Sequence, residues 1–349
     1  MKNRKNFLLG WTLVLVLFLS AAGSRAQAAE KQALSPEAAF YKGKVLVLIV
    51  PYSPGGGYDA YARMIAPYLE KNTGSTVVVQ NVPGGGTLVG TLQMYRAKPD
   101  GLTMAIVQLS ALVARTILGD TLGFDLNKFN WLARVASENR LIVAGAKSPY
   151  RNTEDMKKAA GPIKFSAAGV LSSDFNHIAL TAEALGLNIK LITAFEGSSE
   201  QDLAVIRGDV DATLGSYTSK LKFIKTGDMI PIVQFASARH KEMSKIPLGT
   251  ELPNLSANGK VLLAFNNQQA AFDRVFAAPP GIPPARLKFL RDAVMKTLTN
   301  PELIAIGEKQ RRPVDPVDAA AVTEAVKHDL QMAPQQKELI KQAIYKYKG

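Results

Sequence analysis

Two glycine-rich turns hold the residues best suited to chemistry: Pro54-Gly55-Gly56-Gly57-Tyr58-Asp59 and Pro83-Gly84-Gly85-Gly86-Thr87. Each follows a run of branched apolar residues and precedes a helical pattern. Glycine lets the backbone take positive φ and approach a ligand closely, so successive N–H groups can converge on an anion. The helix start behind each turn adds unpaired N–H groups and a positive dipole end. One such dipole contributes about 0.3–1 kcal/mol, or up to about 2 kcal/mol when partly buried, which alone does not offset removing a carboxylate from water. Three or four charge-assisted hydrogen bonds of roughly 1.5–3 kcal/mol each would reach the roughly −8 kcal/mol of micromolar binding. A single turn of this kind reads as a tight strand-to-helix connection; two in tandem favour anion binding, with Ser53, Gly55, Gly56, Gly57, Tyr58 and Asp59 on one and Asn81, Gly85, Gly86 and Thr87 on the other.

Other chemistries fit less well. Neither turn is followed by Gly-Lys-Ser/Thr, and Gly84, Gly86 and Gly90 are spaced one residue too long for a dinucleotide turn. His177, His240 and His328 lie in separate segments without metal-ligand spacing, and the chain has no Cys. There is no Gly-x-Ser-x-Gly elbow. Asp59 has the spacing of a general base, but a carboxylate in the first turn of a helix more often caps it, and it would repel an anion unless turned toward the backbone. It is therefore expected to shape the loop. No catalytic residue, metal or cofactor is expected.

A second group of small hydroxyls stands at later helix starts. Ser166, Ser172, Ser173 and His177 surround one, and Gly197, Ser198 and Ser199 another; together they could form an opposite jaw that binds a carboxylate or ordered water without a permanent charge. Ordinary helix capping by the serines, and simple packing of His177, explain the same residues. Ser216, Tyr217 and Ser110, each just after a strand, are further candidates.

The elements that must position these groups alternate β-branched runs with helical patterns, as parallel sheets with crossover helices do. Strands are predicted at 44–50, 76–81 and 102–108, with helices at 58–72 and 88–97; Pro67 should kink or end the first helix. A second such unit has strands near 141–145, 163–166, 189–193 and 210–214, and helices at 174–185 and 199–207. Ser199 and Asp202 have capping-box spacing there. The chain then returns through a strand at 274–277 and helices at 285–298 and 301–309. One lobe interrupted by another and joined by two crossovers is hinge architecture.

At the N-terminus, Lys2, Arg4 and Lys5, the apolar run Phe7 to Leu19 and the small residues Ala26-Gln27-Ala28 read as a signal peptide cleaved near Ala28, giving export to the periplasm. No Cys follows to accept a lipid. The whole chain carries a net charge of +13, and +9 remains once Lys2, Arg4, Lys5 and Arg25 are removed. The basic residues are scattered, without the runs and interleaved aromatics of a nucleic-acid groove, so no nucleic-acid partner is expected. The charge serves solubility and mild steering of anions.

The segments PYSPGGGYDAYARMIAPYLEKN and VVVQNVPGGGTLVGTLQMYRAKPDGLTMAI resemble the receptor subunits of tripartite tricarboxylate transporters, the Bug family. SAAGVLSSDFNH, FEGSSEQDLAVIRGDVDA, Ile246-Pro247 to Glu251-Leu252 and AAPPGIPPARL follow the family order more loosely. The resemblance implies an α/β, two-lobed periplasmic-binding-protein fold of type II, a Venus flytrap with two hinge crossovers. The order of elements places a signal peptide at 1–28, one lobe at 29–138 and 272–349, and the other at 139–271. The resemblance also implies a ligand carboxylate held by Ser53 to Asp59 and Asn81 to Thr87 through backbone amides and waters, with Ser166 to His177 and Glu196 to Ser199 closing from the second lobe. A monomer delivering ligand to large and small integral-membrane permease subunits is expected. Tyr58 and Glu196 depart from the usual family residues, and an acidic Glu196 disfavours a densely charged tricarboxylate, leaving a mono- or dicarboxylate. A ligand sensor and a periplasmic enzyme acting on carboxylates are the alternatives.

Overall fold

The structure, a computed structural model, describes residues 34–195, 197–236 and 238–348. The signal-peptide reading and Glu196 therefore lie outside the described residues. The chain divides into residues 1–40 and 41–349. Of the first, residues 34–40 are described and begin the short helix α1 (Pro36–Tyr41); the second carries both sheets.

The run VLVLIV forms β1 (Val45–Val50), which pairs in parallel with β2 (Thr76–Asn81) on one side and β3 (Thr103–Gln108) on the other. Between them run α2 (Gly57–Thr73), closed by Gly74 in the left-handed region, and α3 (Leu88–Tyr95). Helix α2 continues through Pro67 without ending there. Pro67 and Arg63 both lie on its exposed face, so the carbonyl deprived of a donor is on the water side, and packing of the opposite face holds the helix. After β3 come α4 (Leu109–Leu118) and β4 (Asn130–Ala136), neither foreseen in the sequence.

The chain then leaves this sheet. It builds a second one from β5 (Arg140–Gly145), β6 (Ile163–Ser166), β7 (Ile189–Ile192), β8 (Ala212–Ser216) and β9 (Met229–Phe235). Their order is β7-β6-β8-β5-β9. Helices α5 (Thr153–Lys157), α6 (Ser173–Leu185), α7 (Ser198–Arg207) and α8 (Tyr217–Thr226) connect these strands, and α9 (Ala257–Ala271) leads back. The return strand β10 (Arg274–Ala278) inserts between β3 and β4, antiparallel to both. The chain ends with α10 (Pro284–Leu298), α11 (Pro301–Lys309), a short β11 (Val317–Asp318), α12 (Ala319–Leu330) and α13 (Pro334–Tyr345). The first sheet reads β11-β4-β10-β3-β1-β2.

This is the expected α/β fold of two lobes. The sheets are mixed rather than parallel, because β5 runs against β8 and β9 and β10 runs against its neighbours. Antiparallel strands are what the two crossovers demand: a strand that enters a sheet from the opposite lobe meets it end-on from the other side. Each lobe has its own core, with Ile49, Val107, Trp131 and Val275 in one and Ile142, Phe165, Leu214 and Phe235 in the other. Phe175, Ala179 and Leu180 of α6 join the first lobe's core rather than their own. Burying a side chain such as Phe175 contributes about 1.5–3 kcal/mol, so an apolar seam between the lobes helps hold them together.

Candidate functional site

The first glycine turn leaves β1 at its carboxyl end, and Ser53 to Gly57 are exposed. Gly55 takes φ +85°, in the left-handed region. Helix α2 starts at Gly57 with no side chain capping it, so its first-turn N–H groups are free for a ligand. Asp59 serves the loop instead. Its carboxylate accepts the Gly55 N–H at 2.9 Å, the Arg63 Nε–H at 3.0 Å and the Asn81 Nδ2–H at 3.0 Å. Burial pushes its pKa up, but Arg63, the Gly55 N–H and Asn81 outweigh burial and hold it below the usual value. Asn81 fastens the two turns together, donating also to the Tyr52 carbonyl at 3.0 Å and accepting from Arg63 at 2.9 Å.

The second turn is unusual in its backbone. Gly84, Gly85, Gly86 and Thr87 have φ of +126°, +58°, +60° and +83° in succession. A β-branched residue in the left-handed region is strained, at a cost on the order of 1–3 kcal/mol. Thr87 is buried, and its Oγ1 has no partner among the described residues. Arg115 of α4 reaches this turn, donating to the Gly85 carbonyl at 3.4 Å and pairing with Asp120 at 3.3 Å. A Cβ on Gly86 would stand 3.2 Å from its guanidinium. Gly90, the third glycine of the failed dinucleotide spacing, has a packing role: a Cβ there would come within 2.7 Å of the Val82 carbonyl.

Beneath the first turn lies a buried cluster whose charged members, Arg140, Arg274, Asp273 and Glu138, the sequence did not single out. Arg274 pairs with Glu138, stacks over Tyr58 and Tyr61 at 5.1 and 4.5 Å, and sits 3.0 Å from where a Gly57 Cβ would be. Arg140, at the start of β5, donates to Asp273 at 2.9 Å and to Ser173 at 2.6 Å. Ser110 completes the link, bonding to Asp273 with its Oγ 3.1 Å from that of Ser173. Tyr52 donates to Gln108 at 2.5 Å, Gln108 to Asp273 at 3.4 Å, and Tyr58 to the Asp273 carbonyl at 3.2 Å. Burial pushes the Asp273 carboxyl up, opposed by Arg140, while Asp273 and Glu138 raise Arg140 against its own burial. Two cations and two anions thus compensate one another where the two crossovers run side by side.

The second-lobe candidates divide. Ser173 joins Ser110 and Arg140 across the seam. Ser166 is fully buried at the end of β6 beside Thr213, and its Oγ has no partner among the described residues. Ser172 caps α6 and bonds to Asp174 at 2.5 Å. Asp174 in turn accepts the Ala168 N–H at 2.8 Å and the Gln201 amide at 2.9 Å. Gly197 is the cap residue of α7 and Ser198 its first residue; Asp202, expected to complete a capping box with Ser199, pairs instead with the buried Lys220. Ser216 caps α8, and Tyr217 gives its hydroxyl to Glu242 and stacks on His240 at 3.8 Å. His177 is buried inside α6, its pKa well below the usual value because of burial first and Arg140 second.

The arrangement is rich in groups suited to holding an anion. It offers free N–H groups, glycine backbone open to close approach, a strained Thr87 and small hydroxyls, and among the described residues neither ring nitrogen of His177 has a partner. Among the described residues no group of three or more His, Asp or Glu side chains could hold a metal, and no helix is long and apolar enough to cross a membrane.

Residues 61–342 match the family described as tripartite tricarboxylate transporter family receptor. Protein BugT of Bordetella pertussis is 24% identical over 245 residues, covering 68% of this chain and 72% of its own. A protein from the tcbD-tcbE intergenic region of Pseudomonas sp. (strain P51) is 26% identical, covering 76% of each. The fold is similar to that of the periplasmic binding protein BugD, with a TM-score of 0.70 at 23% identity over 87% of this chain and 98% of that one. It is also similar to MatC from Rhodopseudomonas palustris with bound malate, with a TM-score of 0.69 at 18% identity over 85% and 99% of the two chains. An R. palustris protein with adipate gives 0.71 at 17% identity over 86% and 97%. The match spans most of the chain, both glycine turns lie where β1 and β2 end, and this chain belongs to the tripartite tricarboxylate transporter receptor family.

Proposed function

We propose that this protein is a periplasmic receptor that closes on one small mono- or dicarboxylate and delivers it to large and small integral-membrane permease subunits. The observation that carries this reading is the pair of turns: the uncapped start of α2 beside four successive left-handed residues ending in the strained Thr87. Strain of this kind persists where surrounding structure enforces it and marks functional backbone. The ligand's first carboxylate rests on both turns through N–H groups and waters, Asp59 and Asn81 hold the turns in register, and Arg115 lies beside the second turn. Malate and adipate in the similar R. palustris structures support the ligand class.

The test is native mass spectrometry of protein purified from its cells, followed by release under denaturing conditions. One small carboxylate per chain, released unaltered, is the expected result; absence of any bound anion, or release of a converted product, contradicts it. Gly56→Leu provides the control. Gly56 has a negative φ, and a Cβ there meets only the Ser53 carbonyl at 3.9 Å, so the variant should fold normally and lose the ligand.

A further inference from the structure

The buried polar groups left unused by the cleft gather behind the contact between Ser110 and Ser173. A small cavity of about 10 Å³ lies there, with Ser110, Ser173, Asn176, His177, Asn266 and Gln269 as its polar walls. His177 is 2% exposed, and neither of its ring nitrogens has a protein partner among the described residues. The Oδ1 atoms of Asn176 and Asn266 are also without partners. Their amide nitrogens fix which way the oxygens point. Asn176 Nδ2 donates to the Leu171 carbonyl at 3.3 Å, and Asn266 Nδ2 donates to the His177 carbonyl at 3.1 Å and to Thr181 at 3.0 Å. Asn266 lies near enough to the imidazole to favour its protonation slightly, yet its oxygen makes no hydrogen bond with the ring.

Two carbonyl acceptors and a neutral imidazole call for a partner with two donors and one acceptor. An anion would face the two oxygens, and no carboxylate lines the cavity to balance a cation. The volume matches one water molecule, which needs roughly 10–15 Å³ for its centre and two to four polar partners.

We propose that a single water molecule is a fixed component of this cavity, donating to Asn176 Oδ1 and Asn266 Oδ1 and bonded at its oxygen to a ring nitrogen of His177. Helix α4 of the first lobe, α6 of the second and the returning α9 all contribute walls, so closure of the lobes assembles the site. The water rigidifies the seam beside the Arg140 network whichever carboxylate the cleft holds, and the inference stands apart from the receptor reading.

A crystal structure of the protein with its lobes together as here, at a resolution that shows ordered water, tests it directly. A peak about 2.7–3.2 Å from both amide oxygens and one ring nitrogen is expected; an empty cavity, a peak bonded to fewer than two of them, or a ring turned to a protein partner overturns it. His177→Phe gives an independent readout. It exchanges the imidazole for a somewhat larger apolar ring and removes the water's third partner, so Tm should fall by about 2–4 °C. Were the imidazole merely an unsatisfied polar group, an apolar ring of similar shape would be neutral or stabilising, and an unchanged or raised Tm overturns the proposal. The structure of the wild-type protein decides the matter if the variant does not fold.

Discussion

At the scale of single residues, Asp59 shows how far spacing alone can be read. Its place in a first helical turn, next to a glycine loop, marks it as a loop-shaping carboxylate, and it does accept the Gly55 N–H and join Asn81 and Arg63. Asp59→Ala should loosen both turns at once. A loss of about 1–2 kcal/mol by urea unfolding, within the range for a lost N-terminal carboxylate, should accompany at least tenfold weaker carboxylate binding by calorimetry. Because its pKa is depressed in the fold, this contribution is present above the ordinary carboxylate range and fades as the pH falls through the lowered value. His177 behaves in the related sense for a base: burial depresses its pKa, so the unfolded chain takes up a proton below pH about 6.5 that the folded chain refuses. Stability should fall by up to about 1.4 kcal/mol per pH unit from there downward. Urea unfolding at pH 7 and pH 5 should show that slope reduced in His177→Phe; an identical slope would exclude the assignment. Arg140, Arg274, Asp273 and Glu138 were not legible as a cluster. They flank apolar runs as two close charge pairs, Glu138 with Arg140 and Asp273 with Arg274, but the ion pairs they form join positions more than a hundred residues apart, a distance no local spacing reports.

At the scale of elements, the strands and helices that carry the turns were readable because buried parallel strands leave unbroken apolar runs and glycine marks the turn. Strands β4 and β9 and helices α4, α5, α8 and α9 were missed; α4 follows β3 without a break and α9 lacks a clear polar face. Ser199 and Asp202 illustrate a local signal overridden by tertiary pairing, with Lys220 taking the acid. The two turns also respond differently to substitution. Gly86→Ala puts a side chain at φ +60° against Arg115, a conformation costing about 1–2 kcal/mol, whereas Gly56→Ala should change stability by less than about 0.5 kcal/mol. Paired thermal melts check the contrast, and equal losses would mean that the second turn is not held left-handed.

At the scale of the whole molecule, the two lobes meet through an apolar seam and a compensated quartet of buried charges. Removing one member strands its partner in the interior: Asp273→Ala should cost about 3–5 kcal/mol, measurable by urea unfolding. Replacing the pair together, Arg140→Met with Asp273→Leu, should restore most of that loss. The chain's net charge of +13 favours the approach of anions, while the compensated quartet leaves the turns to do the holding. The most direct measurement is calorimetric titration of the ligand-free protein with acetate, malate, adipate and citrate. Saturable binding of a mono- or dicarboxylate at one site per chain, lost in Gly56→Leu, is the expected result; tightest binding of citrate, or heat from none of the four, would contradict it.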